Sequence, residues 1–259
     1  MVELPSPGPV ERRLIAASKR RTLVAALIDP EDFSPAKAAE TAKTAIECGV
    51  SLILVGGSTL SDQNKLDSVV RAIKRQVTSS RDAVTPVVLF PGNVTGVSKY
   101  ADAILFSSLL NSTNPYYIVG AQAIGSMAVY KAGIESIPMG YLVFGNSTAA
   151  SFIGQANGIP TSKPNLALIY ALAARYLGMR TLYLEAGSGS GEPVPAETIK
   201  LVRKFYDGLL IVGGGITAAE TASKAASSGA DILVVGNLLQ TEAYEGILRQ
   251  ITGAVKNHA

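Results

Sequence analysis

Short β-branched apolar runs recur along this chain, each ending in glycine or polar residues and each followed by an alanine-rich stretch with helical spacing. Eight runs read as strands: Leu23 to Ile28, Leu52 to Val55, Val87 to Phe90, Ala103 to Phe106, Met139 to Phe144, Thr181 to Leu184, Leu209 to Val212 and Ile232 to Val235. The segments between most of them predict helices: Pro35 to Glu47, Ser61 to Thr78, Pro115 to Lys131, Asn165 to Leu177, Ala196 to Tyr206, Ala218 to Ser228 and Leu238 to Ala254. Such alternation predicts an α/β fold, a (β/α)8 TIM barrel. One unit breaks the pattern. Pro91 to Asp102 is barely long enough for a crossover helix and carries two glycines, so the third helix is expected to be shortened or missing. That loss would expose an apolar flank where a long hydrophobic ligand could lie. Gly145 to Pro164 is too long for a tight connection and is a candidate lid over the barrel mouth. The chain divides into an N-terminal extension, 1–20, without a functional reading, and one barrel domain, 21–259.

The last two strands carry the strongest signal. Leu209 to Val212 runs into Gly213, Gly214 and Gly215, after which Thr217 is placed to cap a helix that ends near Gly229; Ile232 to Val235 then meets Gly236 and Asn237. Glycines let backbone approach an anion closely, and the unpaired N–H groups and positive dipole end of a helix start favour a phosphate there. A lone glycine triplet is equally a flexible turn. The pairing of two such turns favours phosphate binding.

Composition narrows the classes. The 259 residues are 47% apolar and 17% charged with a net charge of +3, which describes a globular chain and disfavours nucleic acid as a partner. No apolar run approaches the roughly 18 residues of a spanning helix, and the N-terminal stretch lacks the apolar core of a secretory signal, so a cytoplasmic protein is expected. Basic residues cluster only at Lys19 to Arg21, read as a solvated helix end. The single cysteine, Cys48, excludes an internal disulfide and suits the buried end of a helix. The single histidine, His258, lies in the last two residues, which argues against histidine acid–base or zinc chemistry.

In this fold the C-terminal strand ends converge on one mouth. The first strand delivers Asp29, either a Mg²⁺ ligand or a cap for the following helix, although Asp32 is the better simple cap; the second delivers Gly56, Gly57 and Ser58. The sixth delivers Tyr183 and Glu185 on one face, followed by a glycine-serine loop. Glu185 is the candidate general base, its pKa raised by partial burial, with a structural carboxylate as the plainer alternative.

The motifs YLEAGSG, IVGGGI, VVGN, LIDPE and VGGS, in this order around a barrel, together with FSSLLNSTNPYYIVGAQ from Phe106 to Gln122, resemble the geranylgeranylglyceryl phosphate synthases and the related heptaprenylglyceryl phosphate synthases. The likeness spans roughly Ala25 to Leu239 and includes a shortened third unit. It implies Mg²⁺-dependent prenyl transfer: the 3-hydroxyl of sn-glycerol 1-phosphate attacks C1 of a polyprenyl diphosphate, releasing pyrophosphate and leaving an ether. Carried over residue by residue, Asp29 and Ser58 would hold Mg²⁺, and Tyr183, Leu184, Glu185, Ala186, Gly187, Ser188 and Gly189 would bind glycerol phosphate, with Glu185 and Tyr183 catalytic. Gly214, Gly215, Gly236 and Asn237 would hold its phosphate, and the prenyl tail would pass Tyr116, Tyr117 and Ile118. The resemblance favours the geranylgeranyl donor over the heptaprenyl one. A lipid product implies transient membrane-surface contact, and a barrel with one incomplete side is expected to form a homo-oligomer. Among other phosphate-binding barrels, a Schiff-base aldolase would need a lysine on a strand, and no predicted strand has one. An isomerase or lyase would need its own acid–base pair.

Overall fold

A computed structural model of the chain describes residues 6–57, 60, 62–78, 85–187 and 192–255. Eight parallel strands, β1 (Leu23–Ile28), β2 (Leu52–Val55), β3 (Val87–Leu89), β4 (Ala103–Leu109), β5 (Glu135–Val143), β6 (Thr181–Glu185), β7 (Leu209–Gly213) and β8 (Ile232–Val235), pair in sequence order, and β8 returns to β1 to close the barrel. Strand alternation divides the core in two. Leu23, Ala25, Leu54, Val88, Leu105, Tyr183, Ile211 and Val234 fill the barrel interior. Val24, Ala26, Ile53, Leu182, Leu184 and Val212 face the other way, into a larger cluster beneath the helices.

The outer layer comprises α2 (Pro35–Glu47), α3 (Gln63–Thr78), α4 (Ala121–Ala132), α6 (Pro164–Tyr176), α7 (Ala196–Phe205), α8 (Ala219–Ser227) and α9 (Tyr244–Ala254), with a short α5 (Ala149–Ile153) at the mouth. Among the described residues no helix joins β3 to β4, so the expected third-unit deletion is present. Two helix starts differ from expectation. Ser34, not Asp32, caps α2 by accepting from the Lys37 N–H, while Asp32 accepts from Gln240 Nε2 at 2.8 Å. Thr217 does not cap α8: Ala218 takes that position, and no side chain bonds the helix's first amides. Cys48 ends α2 and is buried, as its context implied.

The N-terminal stretch forms α1 (Pro9–Ser18), whose Leu14 joins the interior cluster. The Glu135 carboxylate accepts from the Val10 and Glu11 amides at 2.7 and 2.9 Å, serving as a cap borrowed from β5. Glu11 is fully buried and bonds Arg180 through both carboxylate oxygens at 2.8 Å. Removing Arg180 would leave the buried Glu11 carboxylate without a compensating charge. Basic residues follow at the exposed helix end, Lys19 and Arg20.

Candidate active site

On β6 the two-residue repeat points Tyr183 and Glu185 into the barrel, one above the other. Tyr183 lies deeper. Only 1% exposed, it stacks on Phe90 with ring centroids 5.2 Å apart and meets Tyr141 edge-on at the same distance. Its hydroxyl donates to the Glu185 carboxylate, which also accepts from the Gly187 N–H at 2.5 Å. Burial pushes the Glu185 pKa above the usual glutamate value, and these two hydrogen bonds pull partly against it. Burial likewise holds the Tyr141 and Tyr183 phenols protonated, with the Glu185 charge adding to the effect.

The glycine turns stand beside this carboxylate. Gly214 and Gly215 adopt φ of +79° and +71°, the left-handed region that costs a side-chain-bearing residue roughly 1–3 kcal/mol. Space is short as well: a Cβ on Gly214 would lie 2.6 Å from the Gly187 nitrogen and 2.7 Å from Glu185 Oε1, and one on Gly215 would lie 2.9 Å from the Pro193 nitrogen. The uncapped start of α8 follows one turn, and an uncapped 3₁₀ turn, Asn237–Gln240, follows the other. Two neighbouring sets of backbone donors without side-chain caps suit an anion.

A cavity of about 280 Å³ begins at Glu185, Gly214, Gly215, Gly236 and Asn237. It crosses Phe90 and Tyr141 and continues between the β3–β4 connection, at Val94 and Val97, and the inner face of α4, at Ala121, Gln122, Gly125 and Val129. The flank opened by the missing helix is therefore the apolar end of the same cavity. The segment proposed as a lid is an ordered cap: Ala149, Ala150 and Ile153 of α5 line the cavity. Asn111 anchors it by donating to the Val143 and Asn157 carbonyls at 2.8 and 3.0 Å.

Several sequence-derived positions are placed differently. Tyr183 does not line the cavity; alternation sets it one layer below, where it touches Glu185 and supports that carboxylate. Leu184 and Ala186 face the outer core, and the Ala186 N–H is taken by the Gly213 carbonyl at 3.0 Å. Of the three residues expected along the prenyl path only Tyr117 lines the cavity. Tyr116 donates its hydroxyl to Asn93 Oδ1 at 2.6 Å, and the Ile118 carbonyl accepts from Ser108 at 2.7 Å. Ser58, Ser188, Gly189 and His258 lie outside the described residues. Asn93, Gln122 and the inner face of α4 escaped the sequence reading, although Ala121, Gly125 and Val129 at helical spacing carried a signal.

Asp29 follows β1 directly, beside the mouth. One oxygen accepts from the Glu31 N–H at 2.9 Å, so it shapes a local turn, while the other faces Gly57, where any side chain would collide with it. Burial raises its pKa, and the nearby Asp32 and Glu31 charges add to that, an electrostatic setting that a cation would relieve. Among the described residues no group of three or more acidic, histidine or cysteine side chains converges. One carboxylate with phosphate oxygens completing the shell is a donor set that Mg²⁺ accepts.

Fold and site together define a phosphate-binding (β/α)8 barrel with an apolar extension. Similar barrels occur at low identity, as in the tryptophan synthase alpha chain of Legionella pneumophila, 16% identical with a TM-score of 0.60, a likeness of fold alone. Residues 17–255 match the PcrB family, and the chain belongs to that family. It is 50% identical over 249 residues to a geranylgeranylglyceryl phosphate synthase of Cenarchaeum symbiosum, covering 96% of this chain and 98% of the relative. Over 250 residues it is 47% identical to that of Pyrococcus horikoshii, covering 96% of each. The crystal structure of (S)-3-O-geranylgeranylglyceryl phosphate synthase from Thermoplasma acidophilum with its substrate sn-glycerol-1-phosphate is 36% identical, with a TM-score of 0.90, over 96% of this chain and 99% of that one. The resemblance read from the motifs is borne out.

Proposed function

We propose that this protein joins the 3-hydroxyl of sn-glycerol 1-phosphate to C1 of geranylgeranyl diphosphate, releasing pyrophosphate and forming the ether of a membrane lipid precursor. The observation that carries this reading is a buried carboxylate, Glu185, set between a double glycine turn and an apolar cavity. The acceptor's phosphate sits on the backbone of Gly214, Gly215, Gly236 and Asn237, and its hydroxyl points to Glu185. Tyr183 and the Gly187 amide hold the carboxylate in place. Glu185 takes the hydroxyl proton as the oxygen forms its bond to C1, and the electron pair of the breaking C1–O bond leaves with pyrophosphate. Raised above its usual value by burial, the Glu185 pKa gives a stronger base than a solvated glutamate.

The prenyl tail follows the cavity past Phe90 to Val97 and Val129. Asp29 is the residue suited to hold Mg²⁺, which when bound would neutralise the diphosphate leaving group. Asp29→Asn is accordingly expected to raise the Mg²⁺ concentration needed for half-maximal rate about tenfold; an unchanged metal titration would assign the aspartate to its turn alone. The reading places the protein in the cytoplasm, working as a homo-oligomer and meeting a membrane surface transiently to load or unload lipid. Phe152, 85% exposed on α5 beside the mouth, is suited to that contact. The test is incubation with labelled sn-glycerol 1-phosphate, geranylgeranyl diphosphate and Mg²⁺, followed by organic extraction. Extractable label is expected; none with any prenyl length would overturn the reading, and label only with the heptaprenyl donor would change the chain length.

A further inference from the structure

The short helix α5 meets the cavity with one side and the residue after the β6 strand with its cap. Thr148 and Ser151 cap each other's backbone: Thr148 Oγ1 accepts from the Ser151 N–H at 3.2 Å, and Ser151 Oγ accepts from the Thr148 N–H at 3.0 Å. Both residues are buried, 7% and 4% exposed. The reciprocal bonds turn the Thr148 hydroxyl toward the helix and leave its methyl group for the other side. There the methyl fills the space beside Gly187, where a Cβ would collide with Thr148 Cγ2.

A second neighbour closes on the same glycine, because the Gly187 nitrogen lies 2.6 Å from the place a Cβ on Gly214 would take. With its φ of +99°, Gly187 is thus fitted between the cap of α5 and the first glycine of the phosphate turn. Held this way, its N–H donates to Glu185 Oε1 at 2.5 Å. The Glu185 backbone is fixed separately, by the pairing of β6 with β5 and β7. Its carboxylate depends on the Gly187 amide and the Tyr183 hydroxyl.

We infer that Thr148 is a positioning residue for the reaction: its methyl group, oriented by the α5 capping box, keeps the Gly187 amide on the Glu185 carboxylate. This rests on the reading of Glu185 as the base. A cap alone needs only a hydroxyl, which serine also supplies; the methyl is what threonine adds, and it is the methyl that meets Gly187. Ala149, Ala150 and Ile153 of the same helix line the apolar cavity, so one short element joins the hydrocarbon path to the residue that holds the base.

The pH profile can report this contact. The Gly187 bond favours the charged carboxylate, so loosening it raises the Glu185 pKa. Among the described residues the titratable groups facing Glu185 are the Tyr183 phenol of β6 and the Tyr141 phenol of β5, both held protonated by burial, and the glycine turn after β7 has none. Substrate ionisations are common to all variants.

The test is steady-state kinetics of the full chain with both substrates and Mg²⁺, comparing wild type, Thr148→Ser, Thr148→Val, Glu185→Gln and the double variant Thr148→Ser/Glu185→Gln. Thr148→Ser keeps the cap and removes the methyl. Its kcat is expected to fall about tenfold, the scale on which small displacements of a reacting group act, with KM for the prenyl diphosphate unchanged and the acid limb of kcat/KM moved to higher pH. Thr148→Val returns the methyl without the hydroxyl, and is expected to recover most of that rate while melting at a lower temperature than wild type. In the Glu185→Gln background, Thr148→Ser is expected to cost nothing further, since the two residues act as a unit. A Thr148→Ser enzyme with wild-type kcat and pH profile would overturn the inference. So would equal fractional losses in both backgrounds, or a folded Thr148→Val slower than Thr148→Ser, which would assign the residue to its cap. If Thr148→Val fails to fold, the serine and double variants decide. Failure of the underlying reading shows separately, as near-normal turnover of Glu185→Gln, and removes both; a slow Glu185→Gln beside an unaffected Thr148→Ser removes this inference alone.

Discussion

The two sides of this barrel solve opposite problems with the same repeating unit. On the β6–β8 side, the glycine turns after β7 and β8 keep backbone N–H groups close to the mouth, and at Gly214 and Gly215 a side chain would collide with its neighbours. On the β3–β4 side a whole helix is missing, and the apolar surface it would have covered becomes the wall of a cavity. The glycine turns and the apolar flank are thereby the two ends of one cavity, with Glu185 and the Phe90 and Tyr141 rings along it. Specificity for an amphiphile follows from editing connections, with the closed sheet untouched.

The junction should be the most sensitive point. Glu185→Gln keeps the shape and removes the base, so kcat is expected to fall roughly 100- to 10,000-fold with little change in either KM; near-normal turnover would exclude Glu185 as the base. The polar side comes next. Gly214→Ala must place a methyl group against the Gly187 amide and Glu185 while holding a left-handed backbone. A weakening of glycerol phosphate binding by about 10- to 100-fold, from strain of roughly 1–3 kcal/mol, is the expected titration result.

The apolar side should respond independently. A Cβ on Gly125 has only Val94 within contact, at 3.9 Å, so alanine fits there and a larger side chain fills the cavity. Gly125→Leu is expected to raise KM for geranylgeranyl diphosphate about tenfold, to affect shorter prenyl donors less, and to leave glycerol phosphate binding alone. The smallest effect concerns pH. Because the Tyr183 hydroxyl bond favours the charged Glu185, Tyr183→Phe should move the acid limb of kcat/KM to higher pH with a modest loss of rate. The same raised pKa disfavours folding at neutral pH. Its contribution to stability is fully present below the unfolded value, near the usual 4.5, and is lost as pH rises through the higher folded value, so Glu185→Gln should unfold at a higher temperature than wild type at pH 7 and lose that advantage in acid.

These two sides were not equally legible in the sequence. Backbone-built features announce themselves: glycines after a strand, a strand with its period of two, a connection too short for a helix. The barrel, the glycine turns, Glu185 and the missing helix all belong to that kind. Features set by three-dimensional packing do not. The strand period placed Tyr183 and Glu185 on one face, but depth within the barrel, which makes Tyr183 a support rather than part of the lining, depends on strand stagger. Leu184 and Ala186 were grouped with their neighbours by motif although alternation turns them outward. The cap of α2 is Ser34, not Asp32, and Asp32 instead accepts from Gln240 beyond the neighbouring strand β8, 208 residues away in sequence. Helix α1 was illegible because its amides are capped by Glu135 and its buried charge is balanced by Arg180, both remote in sequence.

Separation of the two ligands on opposite sides is the central claim, and direct binding tests it without relying on turnover. Titrating sn-glycerol 1-phosphate into wild type, Gly214→Ala and Gly125→Leu should give tight binding, markedly weakened binding and wild-type binding, respectively. Equal weakening in both variants, or none in Gly214→Ala, would contradict the assignment of the phosphate to the glycine turns.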